Sequence, residues 1–219
     1  DASRYGIPSE LFLLRRASAF QAWYEHMPLR RAQLPRGPDI RAHRRLQVGN
    51  LLSVNVLDTR QYRSAQACGG GEHVDCAEAR EPKRTMLGAS QEKWLYESFR
   101  NPSARWTLLA QQVPIVQRDL DRDPAVYKMD MDKWDGASAA RDRLLTAVAE
   151  SRLKNLVVVT GDVHHHCVGE LKQDFADPGS ATLGVEFIGT SISSGGDGTD
   201  ITARWKALLQ QNPHLKFYN

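Results

Sequence analysis

The stretch Leu156-Val157-Val158-Val159-Thr160-Gly161-Asp162-Val163-His164-His165-His166 reads as a buried strand running straight into a polar turn. Five mostly apolar residues fit a strand, and Gly161 ends it. A carboxylate and an imidazole follow at the strand's C-terminal end. Open α/β sheets collect ligands and catalytic groups at that edge. If the segment stays extended, Asp162 and His164 point to one side, because side chains alternate with period two. An oxygen and a nitrogen donor converging there make a metal half-site, which needs partners from elsewhere in the chain. The bland alternative is a surface loop or a tag, but a tag normally sits at a terminus. His165 and His166 are weaker candidates as ligands. Cys167 reads as a small buried side chain.

Working outward, strand and helix signals alternate on both sides of this stretch. Leu52, Val54 and Val56 alternate with polar residues and predict a strand over 50–57. A helix over 90–100 would bury Trp94, Leu95 and Phe99. Further strands are expected at 106–110 and 185–188, and helices at 138–151 and 200–211. Ser9 is a candidate cap for an N-terminal helix that Pro28 stops, with Phe12, Ala19, Phe20, Trp23 and Met27 on a core-facing side. Residues 29–45 read as a basic connection. Residues 117–136 read as an acidic loop without the spacing of an EF-hand. The alternation predicts an α/β layered fold.

The composition bounds the function. The chain has 219 residues, enough for one sizeable core, with 41% hydrophobic and 25% charged residues. No apolar run approaches the roughly 20 residues of a membrane span, and no signal peptide is visible. A net charge of +3 does not argue for nucleic acid. The early arginines Arg30, Arg31, Arg36, Arg41, Arg44 and Arg45 have no interleaved aromatics, so no specific nucleic-acid site is expected. Cys68 and Cys76 flank a Gly-rich loop. That spacing suits a disulfide in an oxidising compartment, although two free thiols would also fit; zinc is disfavoured without a Cys-x-x-Cys pair.

Three strand ends therefore carry polar loops: Asp58/Arg60, Asp162/His164, and a Ser/Gly loop at 190–198. The last has neither a Walker pattern nor a Gly-x-Ser-x-Gly elbow, which argues against Ser193 or Ser194 as a nucleophile.

The motifs Asp58-Thr59-Arg60-Gln61-Tyr62-Arg63, Arg84-Thr85-Met86-Leu87-Gly88, Leu109-Ala110-Gln111-Gln112-Val113, Trp134-Asp135-Gly136, Gly161-Asp162-Val163-His164 and Phe187-Ile188-Gly189-Thr190-Ser191-Ile192-Ser193-Ser194-Gly195-Gly196-Asp197-Gly198 resemble the PhoD-like alkaline phosphatase family, in order along nearly the whole chain. The resemblance implies a layered metallophosphoesterase-like α/β sandwich with mixed sheets, incomplete at both ends, as a single partial domain over 1–219. It implies metal-dependent hydrolysis of phosphomonoesters and phosphodiesters, small phosphate esters as partners, Ca2+ and Fe3+ as cofactors, and a periplasmic or secreted location. Asp162 and His164 are then the expected metal ligands. Arg60 is the expected phosphate contact, since a guanidinium can bind two phosphate oxygens at once. His165 or His166 would protonate the leaving oxygen, since an imidazole titrates near neutral pH. Trp134 and Asp135 would line the substrate entrance, and Asp58 would hold Arg60 or its loop.

The family's early strand-end acidic and Tyr motif, its metal-binding Cys and its Asp-Asp-His-Glu segment have no counterpart here. Cys167 stands where relatives usually have Trp. This segment alone is therefore expected to be a weak or inactive enzyme, with a non-catalytic phosphate-binding domain as the alternative.

Overall fold

A computed structural model describes residues 6–121, 123, 125–194 and 202–219. The chain divides into two compact units, Asp1–Arg44 and Arg45–Asn219. In the first unit helix α1 spans Ser9–His26. Pro8, not Ser9, occupies its N-cap, and no side chain caps it. No residue of this helix is buried. Leu11, Leu13 and Leu14 are exposed, while Phe12, Phe20 and Trp23 of the expected core-facing side are half-buried and none of its residues is fully buried.

The second unit is built on a seven-stranded mixed sheet. Its strands are β1 (Arg44–Val48), β2 (Leu52–Val56), β4 (Trp106–Ala110), β6 (Leu156–Thr160), β7 (Cys167–Lys172), β8 (Thr182–Ile188) and β9 (Leu215–Tyr218), while β3 (Glu72–Val74) and β5 (Lys128–Asp130) form a separate pair. The order in the large sheet is β1-β2-β4-β6-β8-β7-β9. Strands β2, β4, β6 and β8 run parallel, and β7 is antiparallel to both β8 and β9. The C-terminal ends of the four parallel strands, Val56, Ala110, Thr160 and Ile188, therefore lie along one edge. The start of β7 joins them, because Cys167 pairs with Ile188.

Helices α2 (Ala89–Arg100) and α3 (Ser138–Ser151) supply Leu95, Phe99, Leu144, Leu145 and Val148 to the core, against Leu109, Leu156, Val158 and Ile188 of the sheet. Each such side chain, fully buried, contributes about 1.5–3 kcal/mol. The stretch 156–160 is buried on one face only: Leu156, Val158 and Thr160 point inward and Val159 is exposed. The alternation is the pleat at work, with the helical layer on the Val158 side. Helix α4 (Ala203–Gln211) precedes β9. The Gly195-Gly196-Asp197-Gly198 part of the expected Ser/Gly loop lies outside the described residues.

Cys68 and Cys76 are joined by a disulfide. Cys76 packs with Ala67, Ala79, Met129 and Met131 in a second small core. The antiparallel β3–β5 pair thus ties the disulfide loop to the segment expected to be an irregular acidic loop. The acids of that segment serve its backbone: Asp119 Oδ1 accepts the amides of Asp121 and Lys128, and Asp121 and Asp123 accept amides two residues on. These are Asx turns, which hold a chain without regular ladders.

Candidate functional site

Two glutamines fix the loop after β2. The Gln91 amide accepts from the Asp58 backbone N–H at 2.9 Å and donates to the Asp58 carbonyl at 2.9 Å. Gln112 accepts from the Thr59 amide at 2.8 Å and hydroxyl at 2.7 Å, and donates to the Leu57 carbonyl at 2.8 Å. Asp58 itself receives the backbone N–H groups of Arg60 and Gln61, each at 3.0 Å. Its carboxylate therefore shapes the loop and presents Arg60.

Arg60 spans two carboxylates. Its Nη1 donates to Asp132 Oδ1 at 2.9 Å and its Nη2 to Asp162 Oδ1 at 3.0 Å. The Lys133 ammonium hydrogen-bonds the other Asp162 oxygen and lies 3.4 Å from Asp132 and 3.7 Å from Asp130. Arg63 donates to Asp132 Oδ1 at 2.8 Å. Burial pushes the Asp132 carboxyl up, but hydrogen bonds from Arg60 and Arg63 and their charges outweigh it and hold it down at about 2. Arg60, Arg63 and Lys133 thus meet Asp130, Asp132 and Asp162 at the C-terminal edge of the sheet, a charge-balanced cluster in which the guanidinium N–H groups not used by these pairs are what a bound anion would find.

The sequence pattern brought Arg60 and Asp162 forward, and the structure brings them together. It missed Asp132, Lys133 and Arg63. The available signal was the Asp130-Met131-Asp132-Lys133 run immediately before Trp134-Asp135-Gly136. The Gly136 position explains that coupling: a Cβ there would lie 2.2 Å from the Met131 carbonyl oxygen, so only glycine lets the chain fold back beneath Met131.

The segment after β6 is not extended. Asp162 has φ 78° and His164 φ 57°, so the alternation that would put both side chains on one side does not apply. Left-handed backbone at non-glycine residues is uncommon, and it gathers at functional sites. His164 is exposed in this turn.

His165 is elsewhere. Its ring packs against Tyr218 at 4.5 Å and Trp205 at 5.3 Å, with Nε2 buried and unpartnered. Burial, foremost, and nearby cations push its pKa down to about 4. Such an imidazole is neutral near pH 7 and is a weak general acid towards a leaving oxygen there. His166 pairs its backbone with Asn219.

Trp134 and Asp135, expected at a substrate entrance, are each 1% exposed. The Trp134 indole donates to Gln111 at 3.3 Å, and Asp135 is ion-paired with Arg141 inside the protein. The Trp-Asp-Gly motif is a core element here, because its aromatic and its charge are both satisfied internally.

Among the described residues no group of three or more His, Cys, Asp or Glu side chains is arranged to hold an ion. Both Asp162 oxygens are engaged by Lys133 and Arg60. Asp162 and His164 offer two donors, against four in structural zinc sites and about 6–8 for calcium. The described residues do not by themselves fit a metal centre.

The structure is thus an open mixed α/β sheet with a strand-end Asp-x-His turn beside a cluster of paired charges. Residues 5–219 match the profile of the PhoD-like phosphatases. The chain is 46% identical over 211 residues to alkaline phosphatase D of Bacillus subtilis (strain 168), an alignment covering 96% of this chain and 36% of that protein. It is also similar to a solved structure described as "Structure of PhoD", with a TM-score of 0.93, 45% identity, and coverage of 98% of this chain and 41% of that one. The chain belongs to the PhoD-like phosphatase family, and spans well under half the length of these relatives.

Proposed function

We propose that this chain carries the phosphate-recognition edge of a phosphoric ester hydrolase, acting on phosphomonoesters and phosphodiesters. The observation that supports this most is the Arg60 guanidinium, held between Asp132 and Asp162 with Lys133 and Arg63 beside it. Arg60 would bind two oxygens of the ester phosphate. Lys133 and Arg63 would add positive charge where negative charge builds on the transferring phosphoryl group.

Asp162 and His164 stay as the two candidate donors for the calcium and iron that the family resemblance implies, and two donors do not by themselves make a site. The chain as it stands is proposed to bind phosphate and to turn over weakly or not at all. His165 has no part in this proposal. The disulfide supports a periplasmic or secreted setting. Among the described residues no helix is long and apolar enough to cross a membrane.

The test is titration of the chain with inorganic phosphate by calorimetry, alongside hydrolysis of p-nitrophenyl phosphate and its bis ester with calcium and iron added. Arg60→Met is expected to weaken phosphate binding roughly tenfold or more, the loss of a charge-assisted pair. Equal phosphate affinity in wild type and Arg60→Met would defeat the assignment. Any turnover that Asp162→Ala abolishes would support the hydrolase, whereas Asp162→Ala leaving phosphate affinity intact in a chain with no turnover under any metal would favour a non-catalytic phosphate-binding domain.

A further inference from the structure

We propose that Asp132 is a positioning residue that fixes the Arg60 guanidinium for its ligand. This rests on the reading of Arg60 as the phosphate contact. Asp132 sits outside every motif that carried the family resemblance, yet it is the most heavily anchored acid of the site. Its amide donates to Asp130 Oδ1 at 2.9 Å, and its carbonyl accepts from Arg63 at 3.2 Å. Its carboxylate receives Arg60, Arg63 and the Gln66 amide. The pairing of β5 with β3 holds the backbone just before it.

Arg60 is the opposite kind of residue. It stands on a loop and its side chain is 39% exposed. An arginine in that setting carries large rotamer freedom, which binding an anion would have to remove. Asp132 removes it in advance. By taking Nη1 while Asp162 takes Nη2, it sets the guanidinium plane. A guanidinium has five N–H groups, and these two ion pairs leave three for an incoming oxyanion. A rigid acid on one side and a pre-set fork on the other is preorganisation, which raises affinity by lowering the ordering cost.

The direct readout is side-chain 15N relaxation of the Arg60 Nε–H group, which reports the clamp whether or not phosphate binds. In the wild-type chain it should be about as rigid as the backbone. In Asp132→Asn it should become mobile, and the dissociation constant of inorganic phosphate should rise roughly tenfold. Asp132→Glu keeps the charge and should restore part of both effects. A purely structural role for Asp132 would change melting temperature but leave Arg60 rigid, which would overturn the proposal. A mobile Arg60 in the wild type would also overturn it, without need of any variant. So would a mobile Arg60 in Asp132→Asn with unchanged phosphate affinity. If the wild type binds no phosphate yet Asp132→Asn frees Arg60, the clamp stands and the phosphate reading of the site fails.

Discussion

Glu186 shows how a single residue can join the layers of this fold. It is 0% exposed in β8, the central partner of β6. Gln111 donates to it at 3.1 Å, the Ile115 amide at 3.0 Å and the Val116 amide at 2.7 Å, and the Thr160 hydroxyl also donates. Burial pushes its carboxyl up, while these donors pull it down. Gln111 directly follows β4 and Thr160 ends β6, at the C-terminal edge of the sheet, so this network braces the site from below. Replacing Glu186 by Leu would strand several buried donors, at about 1–3 kcal/mol each. A loss of about 3 kcal/mol or more is expected from denaturant unfolding, with Glu186→Gln costing less because it keeps one acceptor oxygen. An equal loss for the two variants would mean that volume, not hydrogen bonding, governs the position.

Among the elements, the β3–β5 pair has the largest consequence for its size. Each strand has three residues, too few to stand alone in water. The Cys68–Cys76 disulfide on one side and the Met129/Met131 packing on the other hold it in place. The Met131 amide closes onto the Gly71 carbonyl at 2.8 Å, which sets the next residue, Asp132, in register. A bridge over a sequence separation of 8 contributes about 2–3 kcal/mol by loop entropy. Cys76→Ser should therefore lower the melting temperature. Amide hydrogen exchange at Met131 should accelerate in that variant while the core amide of Val158 keeps its protection. Uniform acceleration at both amides would show a global effect and no local tether.

The whole molecule should answer to acid through the same cluster. Asp132 is held at about 2 in the folded chain, below the ordinary carboxylate value of 3.8. The unfolded state thus binds its proton first as pH falls. The stabilisation is complete above about pH 4 and is lost as pH drops towards about 2. Its size is about 1–2 kcal/mol once partial exposure of the carboxylate is discounted. Urea unfolding midpoints between pH 5 and pH 2 should fall more steeply for wild type than for Asp132→Asn. Parallel pH profiles would remove Asp132 as the source.

Sequence alone determined the strands and helices with a strong period: β2, β4, β6, α2 and α3 lie where apolar spacing placed them. It also brought forward Arg60 and Asp162, because strand ends in α/β sheets are where polar loops gather, and it carried the family motifs. The short strands β3 and β5, the edge strands β1 and β9, and the antiparallel β7 between β8 and β9 were not legible. Their few residues are stabilised by ladder partners distant in the chain, and local propensity carries little of that information. For the same reason Trp134 and Asp135 read as a surface motif although they are buried, and His165 read as an acid although Trp205 and Tyr218 enclose it. The meeting of Asp132, Lys133 and Arg63 with Arg60 and Asp162 was decided only by tertiary structure. Those contacts join residues up to 102 positions apart, and no local pattern can encode which charge a folded loop will face.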